Sequence, residues 1–237
     1  MANTNRRGSG LDACFSNMRD AGRTGLVTYV TAGDPDLERT PGILAALARG
    51  GADVIELGIP FSDPLADGPV IQRASERALA AGTTLERALD MLASVRRDVP
   101  LPVVVFTYAN PVLRLGAGRF AARAAAAGVD GVLVLDLPIE EAGSLRQTLS
   151  SAEIDTIFLL SPTTTRARIE RAAALGRGFL YGISRLGVTG ARTALSADAA
   201  ALAERVAALN RVPIFSVLSE PARARIAAAS RERLFTA

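Results

Sequence analysis

Glu56-Leu-Gly-Ile-Pro-Phe-Ser-Asp-Pro-Leu-Ala-Asp67-Gly-Pro-Val-Ile-Gln72 runs from an apolar stretch directly into a segment crowded with carboxylates, glycine and proline. Its first half, with Val54, Ile55, Leu57 and Ile59 around Glu56, reads as a buried strand. A carboxylate in such a strand costs free energy unless it is paired or used. Asp67 falls in the loop that follows, where functional groups tend to collect. One strand-borne and one loop-borne carboxylate can hold different charge states and so take separate acid and base roles. The residues alone leave two plainer readings open. Glu56 could be satisfied by a backbone amide or an arginine, and Asp67 could serve as the turn residue before Gly68. Asp63, ahead of Pro64, is the more convincing turn residue and is given no chemistry.

Outward from this stretch, apolar β-branched runs alternate with Ala/Leu/Arg-rich segments. Strands are expected over 26–32, 53–59, 102–108, 131–137, 155–160, 178–184 and 212–217. Runs such as Val103-Val104-Val105-Phe106 and Val132-Leu133-Val134-Leu135 are apolar without alternation, which suits parallel strands covered on both faces. Helices are expected over 37–50, 84–97, 117–127, 140–151, 165–175, 196–209 and 220–230, with an extra one over 11–21 ahead of the first strand. Repeated strand–helix units of this spacing imply an α/β fold, a (β/α)8 TIM barrel. Seven units are legible, so the last strand–helix unit is expected to be lacking. The 237 residues fit a single domain over 1–237. Clusters of Pro, Gly and Asp follow the C-terminal ends of the strands, where such barrels place their sites.

Composition narrows the chemistry. The apolar fraction of 49% allows a sizeable core, yet no apolar run reaches the ~18 residues of a membrane span. The N-terminus carries no stretch like that of a signal peptide, and the lone Cys14 has no internal disulfide partner; a cytoplasmic location is the expectation. The net charge of +3 is spread along the chain, and with 8 Phe, 3 Tyr and no Trp there is little for bases to stack on. A nucleic-acid partner is not expected. The chain contains no His and no Lys. Schiff-base aldolases and pyridoxal-phosphate enzymes are thereby excluded, a Ser-His-Asp triad cannot be built, and most zinc sites are implausible. Proton transfer then falls on Asp, Glu, Tyr, Cys or water.

The stretch from Glu56 to Pro69 resembles the signature of the tryptophan synthase α subunit family, which cleaves indole-3-glycerol phosphate. Tyr29-Val-Thr-Ala-Gly-Asp-Pro35, Tyr108-Ala-Asn-Pro111 and Ser184-Arg-Leu-Gly-Val-Thr-Gly190 agree with that family in order, and the likeness runs over roughly residues 10 to 213. The resemblance implies a carbon–carbon lyase of tryptophan biosynthesis, forming indole and glyceraldehyde 3-phosphate with no metal or organic cofactor. It implies that Glu56 and Asp67 are the catalytic carboxylates, Glu56 moving protons and Asp67 stabilising the indole nitrogen. Tyr181 would lie near Glu56. From their own places at expected strand ends, Tyr108 and Tyr181 could line an aromatic-sized pocket or pack in the core with satisfied hydroxyls. Tyr29, Phe106 and Leu133 would form the apolar indole pocket. Thr189 would meet Asp67 when a lid closes, and the Gly190 amide would bind phosphate. Pro64-Leu65-Ala66 and the Tyr108–Pro111 segment would contact a β subunit in an α2β2 heterotetramer.

The chain departs from the family pattern after the seventh expected strand. Phe215-Ser216-Val217-Leu218-Ser219-Glu220-Pro221 lacks two glycines of a phosphate-binding turn, and Val217 tolerates unusual backbone angles poorly. The eighth strand and the phosphate-binding turn after it are expected to be missing, leaving two strand edges unpaired and predicting low stability or self-association unless a partner fills the gap. The alternative reading is therefore a catalytically impaired α-like protein that acts as a β-subunit-binding or other interaction module.

Overall fold

The computed structural model describes residues 10–183 and 197–207. The described residues hold six strands: β1 (Val27–Thr31), β2 (Val54–Gly58), β3 (Val103–Thr107), β4 (Gly131–Val134), β5 (Asp155–Leu160) and β6 (Leu180–Gly182). They form one sheet in the order β1-β2-β3-β4-β5-β6, every neighbour parallel. Parallel neighbours need crossovers, and helices supply them. These are α2 (Thr40–Arg49), α3 (Pro69–Ala80), α4 (Leu85–Val95), α5 (Ala109–Leu115), α6 (Ala117–Ala126), α7 (Gly143–Ser151) and α8 (Arg166–Leu175). Helix α1 (Gly10–Asp20) precedes β1, and α9 (Ala197–Ala207) follows β6. The expected seventh strand, 212–217, and the helix expected over 220–230 lie outside the described residues.

Two helices escaped the sequence reading. The segment after Asp67 reads as a proline-rich loop, yet Pro69 stands at the first position of α3, where a missing N–H costs nothing and the fixed φ suits a helix. Pro111 likewise sits in the first turn of α5, whose amides have no intrahelical acceptor. Proline there marks helix starts, not loops.

Alternation along the strands divides the core in two. Ile55, Leu57, Val103, Val105 and Val132 face the helices, where Leu44, Leu89, Leu92, Phe120 and Leu149 bury them. The alternate set, Val54, Val104, Phe106, Leu133 and Ile157, clusters on the other face with Leu11 and Phe179. Both faces are apolar, which is why these strands read as continuous hydrophobic runs. Leu11 is fully buried in the inner cluster, so α1 closes that cluster from the strands' N-terminal side.

Carboxylates tie the strand starts together. Asp53 Oδ2 accepts the Leu26 amide at 2.8 Å, and Arg23 pairs with the same carboxylate. Asp130 Oδ2 accepts the Val103 amide at 2.9 Å and the Arg96 guanidinium at 3.0 Å. Each satisfies a backbone donor left over at the beginning of a neighbouring strand. The N-terminal rim is thus built for stability, and the opposite rim is free to carry chemistry.

Candidate active site

Glu56 is the central residue of β2 and only 4% exposed. Its register partners are Tyr29 on β1 and Val104 on β3. Even spacing from Val54 turns it toward the inner cluster, among whose partly buried members are Tyr29 and Tyr181. Its Oε1 is buried and accepts no hydrogen bond from the described residues. Desolvation disfavours the charged form and raises its pKa to about 7. The plainer reading of a carboxylate satisfied by an amide or an arginine finds no such partner for this oxygen among the described residues. Near neutral pH this group can both give and take a proton.

The aromatic wall beside it comes from three strands. Tyr29 meets Phe106 edge-on, centroids 5.5 Å apart at 82°. Phe106 meets Tyr181 at 5.8 Å. Leu133 completes the apolar side and is fully buried. Burial pushes both Tyr29 and Tyr181 up to about 12, and the charges of Glu56 and Asp67 add to that in each case. Both hydroxyls are therefore neutral donors at working pH. The two carboxylates consequently act on the same pair of tyrosines.

Gly58 makes this wall possible. A Cβ at that position would stand 2.1 Å from the Tyr29 hydroxyl and 2.4 Å from the ring carbon bearing it. A glycine inside a strand marks such close approaches. The signal was present in the Glu56-Leu-Gly sequence, although what approaches was not legible.

Asp67 lies in the loop between β2 and α3 and is 6% exposed. Its amide donates to the Pro64 carbonyl at 3.0 Å, and its carbonyl accepts from the Gln72 side chain at 2.9 Å. Its Oδ2 accepts the Tyr108 hydroxyl at 3.0 Å. That hydroxyl in turn accepts the Ala66 amide at 3.1 Å. Burial raises the Asp67 pKa and the Tyr108 hydrogen bond opposes the rise. Tyr108 directly follows β3, is 4% exposed and packs on Phe61 at 5.1 Å. The structure therefore brings Glu56, Tyr29, Phe106, Leu133 and Tyr181 together in the interior and sets Tyr108 against Asp67. Phe61 and Gln72 were not singled out by sequence reasoning. Their contacts depend on how the loop folds back, which no spacing reveals. Thr189, Gly190 and the 215–221 run lie outside the described residues.

A family model described as "Tryptophan synthase alpha chain" matches residues 15–225. The chain belongs to the tryptophan synthase alpha chain family. It is 50% identical over 200 residues to the tryptophan synthase alpha chain of Solibacter usitatus, covering 84% of this chain and 75% of that relative. It is 53% identical over 201 residues to the corresponding chain of Laribacter hongkongensis, with the same shares of 84% and 75%. Among solved structures, a tryptophan synthase from Mycobacterium tuberculosis superposes with a TM-score of 0.81 at 37% identity, covering 87% of this chain and 79% of that one. The six consecutive strand–helix units are thus those of a tryptophan synthase alpha chain barrel. No helix among the described residues is long and apolar enough to cross a membrane.

Proposed function

We propose that this chain is the lyase subunit of tryptophan synthase, cleaving indole-3-glycerol phosphate to indole and glyceraldehyde 3-phosphate. The observation that carries this reading is Glu56, a buried carboxylate with its pKa near 7, set beside an aromatic wall in a chain of this family. The reaction is a retro-aldol. Protonated Glu56 donates to indole C3, which leaves positive charge on the ring nitrogen. Asp67, ionised, stabilises that charge electrostatically. The Glu56 carboxylate then takes the proton of the side-chain hydroxyl. The electron pair of the breaking carbon–carbon bond returns to the ring and neutralises the nitrogen as the aldehyde forms. One proton is given and one is taken, so Glu56 returns to its starting state. Tyr29, Phe106, Leu133 and Tyr181 bind the indole ring, while Thr189 and Gly190 are assigned to substrate binding on the family resemblance.

The tryptophan synthase complex of Pyrococcus furiosus is among the structural neighbours, with a TM-score of 0.70 at 40% identity. It supports a β-subunit partner, and we place the contact on Pro64-Leu65-Ala66 and the Tyr108–Pro111 segment, in an α2β2 heterotetramer. Leu65 is 86% exposed and Leu113 on α5 is 70% exposed, which fits surfaces awaiting a partner.

The deciding experiment measures indole release from indole-3-glycerol phosphate by purified protein, with and without a tryptophan synthase β subunit. Glu56-dependent release, raised by the β subunit, is expected. Folded protein that releases none in either condition is the idle scaffold of the alternative reading. Failure to bind β would remove the complex from the proposal.

Gly58→Ala tests the pocket. The new methyl group drives the Tyr29 ring out of its edge-on contact with Phe106. Overpacking of this kind lowers stability by about 1–3 kcal/mol. The KM for substrate should rise by about tenfold, the worth of a modest apolar misfit in a pocket. An unchanged KM would mean that Tyr29 does not contact the ring.

A further inference from the structure

We propose that Tyr108 is a positioning residue for Asp67, its hydroxyl linking the Asp67 carboxylate to the backbone of the loop that carries it. This rests on the proposed lyase function and changes the role expected of Tyr108 from a wall of the substrate pocket to a support behind a catalytic group. The hydroxyl is used on both sides. It accepts the Ala66 amide at 3.1 Å and donates to Asp67 Oδ2 at 3.0 Å. Loop backbone, tyrosine and carboxylate therefore form one short chain, in which neighbouring bonds polarise one another.

Tyr108 is itself held from several directions. It is the last residue before α5, and the Ala109 amide at the start of that helix donates to Asp136 Oδ1 at 2.7 Å. Its ring packs on Phe61 of the same loop as Asp67. A side chain anchored at the end of β3 thus fixes a carboxylate in the β2 loop, 41 positions away in sequence. A carboxylate that must face a transient cation needs this kind of support, since small misplacements cost large factors in rate.

The hydrogen bond also acts on charge. Burial alone would push Asp67 toward its neutral form, and Tyr108 opposes that. The other titratable groups acting with it are Tyr29 on β1 and Tyr181 on β6, both neutral at working pH, and Glu56 on β2, which acts on the same two tyrosines. Burial first, then the Asp67 charge, and least the charge of Asp136 keep the Tyr108 hydroxyl protonated, hence able to donate. Among the described residues, the hydroxyl that donates to the Asp67 carboxylate is that of Tyr108.

The test is Tyr108→Phe, which keeps the ring on Phe61 and removes only the oxygen. In the α–β complex, kcat should fall by about tenfold or more, as expected for a lost hydrogen bond to a charged group. KM should stay within about twofold, because no substrate contact is lost. The acidic limb of the rate profile should move to higher pH, since Asp67 loses the bond that favours its ionised form. In an Asp67→Asn background the same substitution should have little further effect, as required of a residue that acts through Asp67. A carbon-13 titration of the Asp67 carboxyl, in protein without substrate, should show its midpoint raised by Tyr108→Phe. An unmoved midpoint overturns the proposal whether or not the protein is a lyase. A raised KM with normal kcat also overturns it, returning Tyr108 to the pocket wall. Parent protein that releases no indole refutes the lyase reading instead.

Discussion

Glu56→Gln should lower kcat/KM for indole release by about 10²- to 10⁴-fold, the span of general acid–base catalysis. The amide keeps the shape and cannot move a proton. The pH profile gives a second signature. Glu56 must begin the reaction protonated, and its pKa in the free protein is about 7. The parent kcat/KM should therefore fall as pH rises through about 7, and the residual rate of the variant should lack that limb. A variant rate equal to the parent's would remove Glu56 from the mechanism.

The same substitution should stabilise the fold at alkaline pH. Glu56 is raised from an ordinary 4.5 to about 7 by folding. Its contribution to stability is fully present below pH 4.5 and is lost as pH rises through about 7, where the buried group must ionise. At 1.36 kcal/mol per pKa unit, that loss is about 3 kcal/mol at pH 8. Glutamine escapes ionisation but must still bury an amide, so a gain on the order of 2 kcal/mol is expected at pH 8, vanishing below pH 4.5. Urea unfolding of both proteins at pH 8 and pH 4 measures it. More activity in the less stable protein is the trade expected of a strained catalytic group.

Asp67→Asn should cost about 10²-fold in kcat/KM, the usual loss when one preorganised electrostatic partner of a transient charge is removed. Its pH signature is the opposite of the first variant's. The alkaline limb set by Glu56 should survive, while the acidic limb from Asp67 protonation should disappear. The substitution leaves the loop's backbone bonds to Pro64 and Gln72 intact, and the amide oxygen can still accept the Tyr108 hydroxyl, so stability should change little. If the alkaline limb also vanished, the two carboxylates would not have separate roles.

The barrel class was legible because it rests on local patterning. β2 and β3 are buried on both faces, so Val54–Gly58 and Val103–Thr107 appear as largely apolar runs wherever they end up. Helix α3 was missed because Pro69 looks like a breaker and acts as a first-turn residue. Sequence order also equals spatial order in this sheet, so neighbours could be assigned without long-range information.

Residue content was enough to put the chemistry on carboxylates, because without His or Lys other proton carriers are few, and to place one of those carboxylates in an apolar strand. It was enough for membership of the family too, because the Glu56–Pro69 run is long and contiguous. The state of each group came only with folding. Glu56 reaches a pKa of about 7 because β1, β3 and the inner cluster exclude water from it, a property of many distant neighbours at once. Tyr108 reaches Asp67 rather than the interior because the loop folds back across the end of β3. Residue type is local, whereas desolvation and hydrogen-bond reach depend on distances that only the folded chain sets.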